Sequence, residues 1–224
     1  MTRTLFVLGD SISIHYGPYL KQMLDGQFAY DRKRGDEALA NLDRPAGANG
    51  GDSRQVLAFL DEQRAQAAHH DVLLLNCGLH DLRTDPQTGE KQVPLEEYEQ
   101  NLQRILTLAE DLASLAVWVR TTPVDDERHN RLRSTFWRYN RDVVTYNNVA
   151  DGVMQGSGVP TIDLYTFTRT LGDGVYCDHV HFAEEMRALQ AAFIAGHLCS
   201  LAHAGTTPRH DGSDGPAQHT RWDA

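Results

Sequence analysis

Short apolar runs alternate along this chain with longer segments of helical periodicity, and this alternation constrains the fold more than any other feature of the sequence. The apolar runs predict β-strands at 5–8, 71–76, 116–120 and 159–163, with a further strand near 27–30. Helical patterns follow at 11–24, 95–112, about 130–154 and about 183–202. Strands that alternate with helices are typical of βαβ units, so the sequence predicts an α/β fold around a mostly parallel sheet.

The length and composition fit one domain. With 224 residues, 41% of them hydrophobic, the chain can bury a sizeable core. We predict a single domain over residues 1–203. Residues 204–224 have no apolar period and many glycine, aspartate and proline residues, which predicts a flexible C-terminal tail.

The net charge of the chain is −10 at pH 7, from 31 acidic and 21 basic residues. Such a surface repels nucleic acid and anionic membranes, so we expect neither as a partner. No apolar leader segment opens the sequence, and the three cysteines do not form a disulfide or metal-binding pattern. We therefore expect a cytoplasmic protein; the sequence does not predict its oligomeric state.

The segment Gly9-Asp10-Ser11 lies where the first predicted strand gives way to a helix. Ligands of open α/β sheets bind at this carboxyl edge, and a serine that opens a helix has free backbone N–H groups beside it. Ser11 is therefore a candidate nucleophile. Serine and aspartate are also favoured at helix N-caps, so the motif alone leaves a structural role open.

A second candidate segment, Asp178-His179-Val180-His181, precedes the last predicted helix. A serine hydroxyl is a weak nucleophile at neutral pH and needs a base within hydrogen-bond reach, most often a histidine. A carboxylate can hold that imidazole in the required tautomer. An aspartate three residues before a histidine can fold back to do so, although a surface loop with a helix-capping carboxylate shows the same pattern.

Two further segments follow or precede predicted elements. The glycines of Asn49-Gly50-Gly51 allow a loop whose backbone amides face a substrate, or an ordinary turn before a helix capped by Asp52. Gly78-Leu79-His80-Asp81 follows the most apolar strand, which places His80 at the same sheet edge as Ser11. Oxyanion donors are needed at that edge, but a lone histidine after a strand is also commonly structural.

Together and in this order, the four segments resemble the SGNH/GDSL hydrolase family. That family has Gly-Asp-Ser near the N-terminus, a glycine loop, a Gly-x-Asn-Asp segment and a late Asp-x-x-His. The matching residues here are Gly9-Asp10-Ser11, Gly51, Gly78-Leu79-His80-Asp81 and Asp178-His179-Val180-His181. The resemblance covers residue 5 to about 203 and implies a three-layer α/β/α sandwich with a flavodoxin-like, five-stranded, mostly parallel sheet.

The resemblance implies a serine esterase with Ser11 as nucleophile, His181 as base and Asp178 as the carboxylate that orients the base. We prefer His181 to the neighbouring His179 because the spacing from Asp178 to His181 matches the family.

The resemblance also implies an oxyanion hole formed by the backbone N–H groups of Ser11 and Gly51 and the side chain of His80. Asp10 and Asp81 are expected to support their loops. His80 departs from the family, which usually carries asparagine there. An imidazole also donates through a ring N–H, so we interpret His80 as a variant of the family's donor rather than as a lost site, with a bystander role as the alternative.

The sequence shows no large inserted lid, so we expect an open, shallow cleft. Such a cleft favours a small-molecule or carbohydrate ester with a short acyl group. Acyl transfer, thioesterase or lysophospholipase activity would use the same residues, and a catalytically inactive binding protein is the alternative of another class. The aromatic run at 136–139 offers a sugar platform or, more simply, core residues of a helix.

A metal-dependent hydrolase would use Asp178, His179 and His181 as ligands. The sequence contains no His-Glu-x-x-His and no cysteine pair that would complete such a site. We therefore expect no metal and no cofactor.

Overall fold

Five β-strands form one sheet in the computed structural model, which describes residues 2–37, 41–133 and 135–204. The strands are β1 Arg3–Leu8, β2 Phe28–Arg32, β3 His70–Leu75, β4 Ala113–Val119 and β5 Thr161–Ile162. They pair in parallel throughout, in the order β2-β1-β3-β4-β5. This is the flavodoxin-like strand order, so the predicted α/β fold is confirmed.

Seven helices lie within the described residues and form the outer layers. They are α1 Ser11–Met23, α2 Ser53–Ala65, α3 Leu95–Leu112, α4 Asp126–Leu132, α5 Asn140–Gly156, α6 Leu164–Thr170 and α7 Glu184–Ala204. Helices α1 and α6 pack against α7, whereas α2 and α5 pack against α3. Right-handed crossovers place these two groups on opposite faces of the sheet, which completes the three-layer sandwich.

The centre of the sheet is apolar on both faces. The side chains of Leu5, Leu8, Leu73 and Val117 are each at most 1% exposed, as expected for parallel strands covered by helices on both sides. Helix α3 follows the predicted three-and-four spacing. Its buried residues include Tyr98, Leu102, Ile105, Ala109 and Leu112.

The register of the central strands brings two of the candidate segments together. Leu8, the last residue of β1, pairs with Leu75, the last residue of β3, and Asn76 N donates to Leu8 O at 3.0 Å. The segments after β1 and β3 therefore leave the sheet side by side at its carboxyl edge. This is where ligands bind in open α/β sheets.

The helix predicted over about 130–154 is wrong in its first part. Helix α4 ends at Leu132 and α5 begins at Asn140, so the aromatic run at 136–139 lies between helices. Trp137 pairs its backbone with Thr84 through two hydrogen bonds of 2.8 Å. This tertiary pairing outweighs a weak local preference, because phenylalanine, tryptophan and tyrosine are only moderate helix formers.

Other boundaries differ less. Strand β4 begins at Ala113 rather than 116, because Ala113 turns to extended backbone directly at the end of α3. Helix α6 was not predicted, since seven residues are too few to show a helical period; its local signal is Asp163, whose side chain accepts from Thr166 N.

Three further expectations concern the chain as a whole. None of the helices in the described parts is long and apolar enough to cross a membrane. Cys77, Cys177 and Cys199 are free thiols. Of the predicted tail, 204–224, residues 205–224 lie outside the described residues, and Ala204 is the last residue of α7.

Candidate active site

Ser11 is the first residue of α1, directly after the loop that follows β1. Asp10 is the N-cap, and its side chain accepts from Ile12 N at 2.9 Å. Burial raises the pKa of Asp10, against the opposing effects of this backbone hydrogen bond and of the Arg138 charge. The cap fixes the start of the helix, so the Ser11 hydroxyl projects from a rigid position beside unpaired N–H groups of the first turn.

The chain brings Ser11, His181 and Asp178 together although Ser11 and His181 are 170 residues apart. His181 Nε2 lies 2.8 Å from Ser11 Oγ, and His181 Nδ1 lies 2.7 Å from Asp178 Oδ2. Asp178 Oδ1 accepts from the backbone N–H groups of Val180 and His181, at 2.8 and 2.7 Å. The Asp-x-x-His loop thus folds back on itself, as its spacing predicted.

These hydrogen bonds keep Asp178 ionised. Burial opposes ionisation, but the hydrogen bonds from the His181 side chain and from the Val180 and His181 N–H groups outweigh it and hold the pKa of Asp178 well below its usual range. A carboxylate on Nδ1 directs the bare Nε2 lone pair of a neutral imidazole toward Ser11. The arrangement can therefore take a proton from the hydroxyl.

His179 lies beside this series, with its Nδ1 3.5 Å from Asp178 Oδ1. Its Nε2 lies 2.9 Å from Asp43 Oδ1. Burial and the charge of Arg133 lower its pKa to about 3. The ligand atoms of Asp178, His179 and His181 lie within 4.8 Å of one another, as a metal site requires. However, both ring nitrogens of His181 already have partners, so a metal there would have to break a bond to Ser11 or Asp178.

His15 forms part of the wall next to the proposed base. Its ring centroid is 5.0 Å from that of His181, and burial followed by the charge of Arg187 lowers its pKa to about 4. His15 is therefore neutral near pH 7 and adds no charge next to His181.

The glycine loop packs against the serine loop. Gly50 N donates to Gly9 O at 2.9 Å. Gly51 has a φ of +76°, and its N–H donates to Asn49 Oδ1 at 2.9 Å. The predicted oxyanion donor therefore has a partner within its own loop. An oxyanion at this position would have to share or replace the Asn49 oxygen.

Gly51 also has no room for a side chain. A Cβ at this position would lie 2.0 Å from Gln55 Oε1, whereas a Cβ at Gly89, which has the same φ of +76°, would meet nothing within 4 Å. Gln55 Oε1 accepts from Asp52 N and forms half of the capping box of α2. The loop conformation and the start of α2 are thus coupled through Gly51.

We expect Gly51→Ala to destabilise the fold by about 1–2 kcal/mol more than Gly89→Ala, because both carry the cost of left-handed backbone but one also breaks a helix cap. Gly51→Ala should also lower ester hydrolysis, and Gly89→Ala should not. Urea unfolding and kcat/KM on one ester measure both effects. Equal behaviour of the two variants would show that Gly51 has no special role.

His80 follows β3 and is 1% exposed. Burial, followed by the charges of Arg83 and Arg138, lowers its pKa well below the usual value, so the ring is neutral. Its Nδ1 is buried with no hydrogen-bond partner among the described residues. A neutral ring with hydrogen on Nε2 leaves no N–H stranded at Nδ1, and we assign that tautomer.

Asp81 ties the His80 loop to the glycine loop. Its Oδ1 accepts from Ser53 N at 2.9 Å, and Asn101 Nδ2 donates to Ser53 Oγ at 2.9 Å. Burial raises the pKa of Asp81 to about 7. Asp81 and Asp10 therefore each hold one of the loops that meet at the sheet edge.

The reacting side chains are themselves buried. Ser11 is 3% exposed and His181 1% exposed. Asp43 lies against the neighbouring His179, forms an ion pair with Arg133, and accepts from Arg83 Nη2 through its carbonyl oxygen at 2.6 Å. These contacts join distant parts of the chain next to Ser11, His181 and Asp178. No local sequence pattern predicts them.

The aromatic run at 136–139 does not lie in a helix, and its first ring, that of Phe136, packs against two arginines. The guanidinium of Arg83 lies 4.3 Å and that of Arg138 4.9 Å from the centre of the Phe136 ring. Arg138 is 1% exposed and donates through Nε to Leu79 O at 2.7 Å. Arg138 thus supports the loop that carries His80, a contact that sequence reasoning missed.

A hydroxyl, an imidazole and a carboxylate, hydrogen-bonded in series at the carboxyl edge of a doubly wound sheet, are typical of serine hydrolases. The chain belongs to the GDSL-like Lipase/Acylhydrolase family, whose model matches residues 7–189. It is a carboxylic ester hydrolase, as the sequence predicted.

Solved structures share the fold at low identity. The lipase/acylhydrolase from Enterococcus faecalis is 17% identical, with a TM-score of 0.67 over 89% of this chain and 97% of that chain. A catalytic mutant of Axe2, an acetylxylan esterase from Geobacillus stearothermophilus, is 17% identical, with a TM-score of 0.66 over 88% and 94%. The acetyl xylan esterase AlAXEase is 14% identical, with a TM-score of 0.64 over 87% and 99%. No curated protein matches the sequence.

Proposed function

We propose that the chain hydrolyses short-chain acyl esters, acetyl esters above all, through an acyl-enzyme on Ser11. One observation supports this most directly: His181 Nε2 lies 2.8 Å from Ser11 Oγ while Nδ1 lies 2.7 Å from Asp178. A base at that distance can take the hydroxyl proton as the oxygen attacks a carbonyl carbon.

In the acylation step, Ser11 Oγ bonds to the ester carbonyl carbon and its proton passes to His181 Nε2. The ionised Asp178 carboxylate accepts from the Nδ1–H of His181 and stabilises the imidazolium that forms. The bond from the carbonyl carbon to the leaving alcohol then breaks, and His181 gives its proton to that alcohol. Water repeats the sequence on the acyl-enzyme, which releases the acid and restores Ser11.

The negative oxygen that develops on the carbonyl needs preorganised donors. The Ser11 N–H lies outside the hydrogen-bond pattern of α1, because Ser11 is the first residue of the helix. His80 adds its Nε2–H, since its ring is neutral and lacks a partner at Nδ1. The Gly51 N–H completes the set when the oxyanion takes the place of Asn49 Oδ1.

The structural relatives support a short acyl group. Two of the structural relatives are described as acetylxylan esterases, which supports an acetylated carbohydrate as the substrate class.

Hydrolysis of p-nitrophenyl acetate, butyrate and octanoate, each with and without EDTA, tests this proposal. We expect kcat/KM to be highest on acetate, lower on octanoate by roughly tenfold or more because a site for acetyl groups holds a longer chain out of line for attack by Ser11, and unchanged by EDTA. Acetylated xylo-oligosaccharides, with acetate release as the readout, extend the test to carbohydrates. A preference for octanoate would contradict the short-chain assignment, and loss of activity in EDTA would indicate a metal at Asp178, His179 and His181.

A further inference from the structure

Three arginines surround one aromatic ring next to the candidate active site. The guanidiniums of Arg83, Arg138 and Arg133 lie 4.3, 4.9 and 5.9 Å from the centre of the Phe136 ring. The chain as a whole carries a net charge of −10. The cluster formed by Arg83, Arg133 and Arg138 is therefore positively charged although the chain as a whole is acidic.

The cluster has few anionic partners. Arg133 pairs with Asp43, whereas Arg83 and Arg138 have no carboxylate at ion-pair distance within the described part of the chain. The Nε atoms of Arg83 and Arg133 are buried and have no acceptor among the described residues. Burial lowers the pKa of Arg83 to about 10. Arg83 donates to Asp43 O and Arg138 to Leu79 O, so main-chain carbonyls take some of their N–H groups, but no carboxylate of the described residues neutralises either charge.

His129 and His179 lie between the arginine cluster and His181. Arg138 Nη1 lies 3.0 Å from His129 Nε2. The His129 ring centroid is 5.0 Å from that of His179, which is 5.6 Å from that of His181. Arg133 and His179 Nε2 both contact the Asp43 carboxylate, so these two side chains already bind one carboxylate of the protein.

We propose that Arg83 and Arg133 bind a carboxylate of the substrate beside Ser11, so that the preferred ester is an anionic one, such as an acetylated uronic acid. The inference rests on the proposed ester hydrolysis and names its substrate class. Guanidiniums recognise carboxylates through paired, charge-assisted hydrogen bonds. In the empty site, Asp43 neutralises Arg133, and the substrate carboxylate takes over that partner.

The first test compares 4-acetoxybenzoate with its neutral counterpart 4-acetoxybenzamide. The measured quantity is the ratio of kcat/KM on the anionic ester to that on the neutral ester. Arg83→Gln and Arg133→Gln should each lower this ratio by roughly tenfold to a hundredfold, the value of a charge-assisted hydrogen bond. Arg64→Gln, at an exposed arginine on α2, removes one positive charge elsewhere and should leave the ratio unchanged.

Asp43→Asn is expected to change the ratio of kcat/KM on the anionic ester to that on the neutral ester in the opposite direction. Removing the competing carboxylate frees Arg133 and should raise the anionic-to-neutral ratio. If the pair only holds the loop in place, Asp43→Asn and Arg133→Gln would lower kcat/KM equally on both esters, which would overturn the proposal. 4-Nitrophenyl hemisuccinate against 4-nitrophenyl succinamate repeats the comparison with the carboxylate on the acyl half, and the pair that responds shows which half of the substrate is anionic.

A binding measurement separates this inference from the proposed hydrolysis. The product 4-hydroxybenzoate should raise the melting temperature of the wild type more than 4-hydroxybenzamide does, and this difference should vanish in Arg133→Gln. Hydrolysis of both esters with no change of ratio in the arginine variants would overturn the anion site alone. Absence of hydrolysis of every ester would overturn the proposed function.

Discussion

Replacing Ser11 with alanine is expected to lower kcat/KM on p-nitrophenyl acetate by on the order of 10⁴- to 10⁶-fold, because the atom that forms the covalent intermediate is removed. His181 and the oxyanion donors remain, so a small residual rate above that in water is expected. The fold should be unaffected, since alanine fits a position that is 3% exposed and favours the helix that begins there.

Ser13→Ala is a matched control for this variant. Ser13 is also buried on α1, but its hydroxyl donates to Asp10 O at 2.7 Å and accepts from Arg32 rather than meeting His181. We expect Ser13→Ala to lose about 1 kcal/mol of stability from these hydrogen bonds and to keep most of its activity. Wild-type rates in Ser11→Ala would show that another group is the nucleophile.

The second large effect is expected at His80. Removing one oxyanion donor costs about 10²- to 10³-fold in kcat, so His80→Ala should show that loss with little change in KM. His80→Asn should recover much of it, because an amide N–H can donate from the same loop.

The pH dependence of kcat adds a second measurement at His80. Its ring is neutral because burial and nearby arginines hold its pKa well below the usual value. Loss of kcat at acid pH should therefore be the same in wild type and His80→Asn. Equal kcat in wild type and His80→Ala would mean that the imidazole takes no part in the reaction.

The parts of the fold that could be predicted from the sequence are those in which local signals agree. The apolar run before Gly9, the Asp10 cap and the periodic helix after it all indicate a strand, a turn and a helix. The loop from Asp178 to His181 was also predictable in shape, because an aspartate can accept from N–H groups two and three residues later.

The parts that could not be predicted depend on contacts between distant segments. The helix expected from 130 is interrupted because Trp137 pairs with Thr84, 53 residues earlier along the numbering, and no period of the sequence records that pairing. Arg138 lies in the same non-helical segment, and its guanidinium reaches Leu79 O, 59 residues earlier in the chain. The contacts of Asp43 with Arg133 and His179 also join segments that are distant in the sequence.

Covalent trapping tests the central claim most directly. The wild-type protein is incubated with a fluorophosphonate, which reacts with activated serine hydroxyls, and the modified peptide is identified by mass spectrometry. We expect one equivalent of adduct on Ser11, loss of esterase activity in proportion to labelling, and no labelling in His181→Ala, which lacks the base. Labelling at another residue, or full activity after Ser11 has been modified, would contradict the account.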